Sequence, residues 1–281
     1  MRRTRSRPLA AFLLLALGAV VLAACLPPAP PPPPPTPTAA ADPPTIADGS
    51  IMGPSQLTAA QIAAYVCHVG HCPATPATAQ SWKPEITPTQ MAQLYIDEGN
   101  LVGVRGDIAF CQSVLETGWF AWPSSPDPST VPVPPPTDTT FPGYVLARDH
   151  NYAGIGAYTG STVYMRQDTP QLGVRAQLQH LRNYADATSN ANDLGAPFVP
   201  RPGYTADNFT AFVYHGKAPN WVDLDGRWAV PGTTYGQTIL GICNNMRTYS
   251  GLAPIPVPAA SGAGAQSELG PFDPSQVTFR S

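Results

Sequence analysis

The chain has 281 residues, with 15 Lys+Arg against 18 Asp+Glu, five cysteines and 36 prolines. That length accommodates one domain with a real core. A slightly acidic balance, with its basic run confined to the first seven residues, excludes the electrostatic footprint of a nucleic-acid binder, and five cysteines are too few for a cysteine-dense scaffold.

Arg2, Arg3, Arg5 and Arg7 form a positive n-region, and Leu9 to Leu22 an apolar stretch too short to span a bilayer comfortably. Leu22-Ala23-Ala24-Cys25 resembles a bacterial lipobox. The resemblance implies removal of residues 1–24 as a signal peptide and lipidation of Cys25, where two acyl chains give a stable membrane anchor. The rival is an ordinary signal cut after Ala24; either way the chain is exported. Removal leaves eleven basic and eighteen acidic side chains, a net charge of −7. Residues 25–44 are mostly proline and predict an extended stalk, about 3.1 Å per residue or roughly 50–60 Å. The expected location is the cell membrane, lipid-anchored and facing the cell wall.

Residues 45–80 read as an N-terminal helical extension, 81–252 as the main domain and 253–281 as a disordered Pro/Ala/Gly/Ser tail. Thr58…Gln61 and Thr87…Gln90 match the capping box and predict helices over Ala59–Cys67 and Pro88–Gly99. A central helix over Asp107–Thr117 is apolar on most sides, with Asp107 at its start and Gly118 at its end. Asp168 or Thr169 caps a further helix with Val174, Leu178, Leu181 and Ala185 on one face. A shorter helix is expected at Ala206–Tyr214, and a last one opens at Thr234 with a capping-box match. Strand signals are scarce, Thr162–Arg166 being the best, and Pro123–Pro142 reads as an exposed loop. The expected class is mainly α with a small β lobe.

In an exported chain the four cysteines beyond Cys25 suggest disulfides, with three connectivities open. The simplest pairing is Cys67–Cys72, neighbours in sequence, and Cys111–Cys243, both on apolar faces of core helices. His68 and His71 add metal-type ligands between Cys67 and Cys72, but six residues rarely fold around one zinc ion. No metal or other cofactor is expected.

One ionisable side chain stands on the body of the central helix near its end. Glu116 shares an edge with Ala109, Gln112 and Ser113. A carboxyl group emerging from an apolar helix into a cleft has a raised pKa and suits general-acid chemistry. The bland alternative is a helix-end Glu reaching water.

Leu115-Glu116-Thr117-Gly118-Trp119 resembles the E-[ST]-G-[WY] element of bacterial glucosaminidase domains, the mannosyl-glycoprotein endo-β-N-acetylglucosaminidase-like group of glycoside hydrolase family 73 in the lysozyme-like superfamily. Asn151-Tyr152-Ala153-Gly154-Ile155 resembles the element after their catalytic helix. Gly173 to Leu181 resembles their next helix, and Trp228-Ala229-Val230-Pro231 to Tyr235 the segment before their final one. The resemblance covers about Trp82 to Met246. It implies a lysozyme-like helical domain that cleaves peptidoglycan glycan strands as an endo-β-N-acetylglucosaminidase. Glu116 is then the general acid and Tyr235 the tyrosine lining the cleft, while Asn151 and Tyr152 meet the sugar. Trp119, Trp221 and Trp228 are candidates for sugar stacking, with core packing as the alternative; His180 reads as an ordinary core or surface histidine. The pattern departs from the family in the long Pro-rich loop and in lacking an evident second carboxylate. Asp149, Asp223 and Asp225 are the candidates. Without one, the substrate's N-acetyl group or a muramoyl 6-hydroxyl must attack. A lytic transglycosylase or muramidase on the same scaffold, and a non-catalytic wall-binding lipoprotein, therefore stand as rivals. The expected partners are glycan strands and, through the anchor, the membrane; no nucleic acid is expected, and the protein should be a monomer.

Overall fold

The computed structural model describes residues 49–72, 82–123, 125, 140–142, 146–156, 163–195, 197–200, 205–229 and 232–259. The expected signal, Cys25, the expected stalk and residues 260–281 lie outside the described residues, as does most of the Pro-rich loop. The described part is mainly α, built from α1 (Ala59–His68), α2 (Pro88–Val102), α3 (Gly106–Thr117), α4 (Pro170–Ala185) and α5 (Tyr235–Tyr249). Strands β1 (Thr140–Pro142) and β2 (Val163–Met165) pair antiparallel, Phe141 opposite Tyr164. Among the described residues no helix is long and apolar enough to cross a membrane.

Both early capping boxes form. Thr58 accepts from the Gln61 N–H at 3.3 Å while Gln61 Oε1 accepts from the Thr58 N–H at 2.9 Å; Thr87 and Gln90 repeat the exchange at 3.2 and 2.9 Å. Each satisfies two donors that a helix start leaves open. Helix α1 then buries Ala59, Ile62, Ala63 and Val66, one stripe at helical spacing, against α2.

Helix α2 runs past the expected stop at Gly99 to Gly103, whose φ of 68° supplies the left-handed cap. Gly99 serves close approach instead: a Cβ there would lie 2.6 Å from the Val104 carbonyl oxygen. The missing side chain lets the chain turn back and start α3 directly against α2. At the start of α3, Asp107 stands in the first turn as a carboxylate there would, and Arg105 holds the cap position without a side-chain bond. The Asp107 carboxylate accepts from the Gln56 and Leu57 N–H groups at 2.9 and 3.3 Å and from Arg105 at 3.3 Å. It thereby ties the N-terminal segment to the central helix.

That tie corrects the expected boundary near residue 80. Ile51, Leu57, Ile62 and Val66 lie in the same apolar core as Ile108, Phe110, Val114, Leu178 and Ile239. Residues 49–72 are therefore part of the domain rather than an extension of it. Helix α3 packs against α2, α4 and α5, and the Cys111–Cys243 disulfide joins it to α5; Cys67–Cys72 closes the turn after α1. The buried Glu98 of α2 meets Arg175 of α4 through two bonds of 2.7 and 2.8 Å and also accepts from Gln171 at 2.7 Å. A buried charge is tolerable only when paired and hydrogen-bonded in this way.

Of the two caps expected for α4, Thr169 forms it, accepting from the Leu172 N–H at 3.2 Å. Two further expectations are corrected. Ala206–Tyr214 is not an α-helix; it holds one 3₁₀ turn, Phe209–Ala211, because Asn183 of α4 captures the Phe209 carbonyl at 2.8 Å. The tail begins ordered: Asn244 bonds both the N–H and the carbonyl of Ile255, at 2.7 and 2.8 Å, and seats that side chain in the core. Polar α5 residues thus hold a stretch whose composition suggested disorder.

Candidate active site

The fold brings Glu116 and Tyr235 together across 119 residues. The Tyr235 hydroxyl, from the first turn of α5, donates to Glu116 Oε1. The first turn is set by Asp225, whose Oδ1 accepts the Gly236 N–H at 2.7 Å. That bond stands in for the capping box expected at Thr234, which makes no side-chain cap.

Glu116 retains partial access to solvent. Its carboxyl group is nonetheless desolvated, which raises its pKa above the ordinary carboxylate value; bonds from Tyr235 and Trp228 oppose that rise. Burial and the Glu116 charge push the Tyr235 hydroxyl well above its usual range, so it remains a donor. On the other side of the carboxyl group stands Gly154. With φ of 62° it is left-handed, and a Cβ there would lie 3.3 Å from Glu116 Oε2. A desolvated acid with a raised pKa, held on one oxygen by Tyr235 and approached at the other by a glycine, has the chemistry to deliver a proton to a ligand.

The turn after Glu116 is strained. Gly118, Trp119, Phe120 and Trp122 have φ of 57°, 65°, 58° and 44°. Bulky residues rarely adopt this region, and each costs about 1–3 kcal/mol. Thr117 holds the turn: its hydroxyl donates to the Ser113 carbonyl at 2.6 Å and accepts from the Phe120 N–H at 2.8 Å. Burial of Phe120 and Trp122 offsets the cost. In Glu116-Thr117-Gly118-Trp119, each residue therefore serves a physical purpose. Glu116 carries the carboxyl group, Thr117 clamps the turn, Gly118 provides the left-handed cap and Trp119 plugs the turn with an aromatic ring.

The remaining candidates divide. Trp228 is half-buried beside Glu116; its indole N–H reaches the Ala153 carbonyl at 3.3 Å, and its ring packs on His180 and Tyr184. Asn151 is buried and organises the loop that carries Gly154. Its Nδ2 donates to the Ile155 and Met165 carbonyls at 2.8 and 3.0 Å, and its Oδ1 accepts the Ile155 N–H at 2.9 Å. With its amide thus occupied, its part is to shape the loop rather than to meet a sugar. Tyr152 is fully buried against Phe120 and Trp122, with no ring face open to a ligand. Trp119 is almost buried, stacked on His71 at 4.8 Å and flanked by Tyr65. Trp221 is in the core. Buried rings cannot stack on sugar, so these three are packing elements here.

The candidate second carboxylates are also engaged. Asp149 is buried, accepts the Leu146 N–H at 2.8 Å and has its pKa raised by desolvation against the pull of that bond, Arg148, Arg166 and His150. Asp223 accepts from the Asn220 backbone and side chain at 2.9 Å, and Asp225 from Gly236. No carboxylate is among the groups that shift Glu116. Among the described residues no three His, Cys, Asp or Glu are grouped to hold a metal ion.

A set of polar residues behind the pair carried no functional reading in the sequence. Gln112 Nε2 donates to the Tyr235 hydroxyl at 2.9 Å, and Gln177 Nε2 donates to Gln112 Oε1 at 2.8 Å and to the Ala109 carbonyl at 3.1 Å. The Tyr95 and Ser113 hydroxyls lie 2.7 and 2.8 Å from Gln177 Oε1 and 2.5 Å from each other, so their two protons serve three contacts. All are buried. The available signal was Gln112 and Ser113 on the Glu116 edge of an otherwise apolar helix.

The described structure thus defines a mainly α domain with a desolvated Glu–Tyr pair at the junction of α3 and α5. No family model matches the chain, and no solved structure does. It is similar to an uncharacterized protein of Borreliella burgdorferi, 30% identical over 139 residues that cover 50% of this chain and 53% of that protein. The chain spans about half the length of that curated relative.

Proposed function

We propose that the protein is an exported, lipid-anchored peptidoglycan hydrolase that cleaves glycan strands as an endo-β-N-acetylglucosaminidase, with Glu116 as general acid. The observation that carries this reading is the Glu116 carboxyl group itself: desolvated, bonded by Tyr235 on Oε1 and with Gly154, which carries no side chain, beside Oε2. In the proposed step the Oε2–H bond breaks as the proton passes to the glycosidic oxygen. The C1–O bond breaks with its electron pair going to that oxygen, and a nucleophile adds to C1. On this reading the helical domain is lysozyme-like, β1 and β2 belong to its small β lobe, and Trp228 forms part of the cleft wall.

One observation favours a single-carboxylate mechanism within the same class. Asp149, Asp223 and Asp225 are all committed to backbone contacts. The nucleophile is then supplied by the substrate, either its N-acetyl group or, as in a lytic transglycosylase, the muramoyl 6-hydroxyl. Mass spectrometry of peptidoglycan digested by the purified protein distinguishes the outcomes. A reducing GlcNAc end supports the glucosaminidase, a reducing MurNAc end a muramidase and a 1,6-anhydro end a transglycosylase. Binding without any product identifies a wall-binding protein and rejects the catalytic reading.

A further inference from the structure

The buried amides behind Tyr235 have only one consistent orientation. A backbone carbonyl can only accept, so the contact with Ala109 fixes the NH₂ side of Gln177. The same NH₂ group faces Gln112, so the Gln112 atom it meets is the oxygen, and the Gln112 nitrogen faces Tyr235. The Tyr95–Ser113 hydroxyl pair, bonded to each other, supplies a donor to Gln177 Oε1. Since the Tyr235 oxygen accepts from Gln112, its own proton points at Glu116 Oε1. A proton on Oε1 would face the Tyr235 proton head-on, and turning the hydroxyl away would leave a buried donor unpaired. The carbonyl oxygen of a carboxylic acid is the stronger acceptor, so the Tyr235 donor favours Oε1 as that oxygen and the proton on Oε2, beside Gly154; Trp228 is the other donor to this carboxyl group.

We propose that Gln112 is a positioning residue: held by Gln177, it aims the Tyr235 hydroxyl at Oε1 and so keeps the Glu116 proton on Oε2. Its role in the reaction rests on the glycosidase reading above; the placement of the proton does not. Among the described residues, the groups acting on the Glu116 charge are Tyr235 from α5 and Trp228 from the segment before it, and Tyr184 of α4 acts in turn on Tyr235. Gln112 carries no charge and reaches Glu116 only through the Tyr235 hydroxyl. A donor to that hydroxyl strengthens it as a donor, and a bond to the ionised carboxylate favours that form.

The test is a carboxyl ¹³C NMR titration of Glu116 in the full chain, for wild type, Gln112→Met, Tyr235→Phe and the double variant. Gln112→Met should raise the Glu116 midpoint in the same direction as Tyr235→Phe, and by less. In the Tyr235→Phe background it should add no shift, because the route is gone. An unchanged midpoint, or an equal shift in both backgrounds, overturns the proposal. Should Gln112→Met fail to fold, neutron diffraction from wild-type crystals at acidic pH decides: deuterium on Oε2 supports the assignment and deuterium on Oε1 overturns it. Turnover measured alongside keeps the two readings apart. If wild type turns over peptidoglycan, the alkaline limb of its pH profile should move upward in Gln112→Met. The predicted titration pattern in a protein that cleaves nothing would reject the glycosidase and leave the relay supported.

Discussion

Thr117→Val tests whether the turn after Glu116 is held by one hydroxyl. Valine matches threonine in shape, so the substitution removes the polar group without opening a cavity. Two contacts are lost, one to the Ser113 carbonyl and one from the Phe120 N–H. The site is buried, so the Phe120 donor is left without a partner, at a cost of about 1–3 kcal/mol. The Ser113 carbonyl keeps its helical position and adds little. A loss of about 2 kcal/mol corresponds to roughly 4–8 °C in Tm for a domain of this size. The left-handed residues Trp119, Phe120 and Trp122 depend on the same clamp, so near-ultraviolet circular dichroism should change before the far-ultraviolet helix signal does. Thr117→Ser keeps the hydroxyl and should stay within about 1 kcal/mol of wild type. Calorimetric melts of the three proteins provide the assay. A Thr117→Val variant as stable as Thr117→Ser would refute the assignment of the clamp.

Tyr235→Phe removes the donor to Glu116 and should raise the Glu116 pKa further, moving the alkaline limb of turnover to higher pH, as a pH–rate profile will record. The raised carboxyl group also has a stability signature. Its folded pKa lies above its unfolded one, so its contribution is fully present below the unfolded pKa and is lost as pH rises through the folded pKa; denaturant titrations of wild type and Glu116→Gln should diverge over that window. Replacing Cys111 and Cys243 together by Ala should cost about 2–5 kcal/mol by chemical denaturation, since this bridge joins α3 to α5 beneath the Glu–Tyr pair.

The helix starts were legible where the signal is local. Thr58/Gln61 and Thr87/Gln90 are three residues apart, and each pair closes on itself. The same pattern at Thr234 misled, because Asp225, eleven residues before Gly236, supplies the cap from another segment. Gly99 looked like a stop because composition does not distinguish a left-handed glycine from one that admits a neighbouring backbone. Glu116 was visible as the lone charge beyond the first turn of an apolar helix. Its support was not: the Gln112–Gln177 and Gln112–Tyr235 contacts span 65 and 123 residues, and only tertiary packing makes those polar side chains neighbours. Asn151 and Tyr152 carried a recognisable string, but whether such residues face a ligand or hold a loop depends on burial, which the string does not encode.

The central claim is that Glu116 supplies a proton to a glycosidic oxygen. Glu116→Gln keeps the shape of the side chain and an acceptor for Tyr235 but has no acidic proton to give. Purified wild type and Glu116→Gln should be compared on the same peptidoglycan, following released glycan ends by mass spectrometry and binding by pull-down on insoluble wall. Wild type should turn over peptidoglycan, and the variant should keep binding while losing turnover by about 10⁴-fold or more, the upper end of what acid catalysis alone contributes. Turnover in Glu116→Gln at the wild-type rate would contradict that claim.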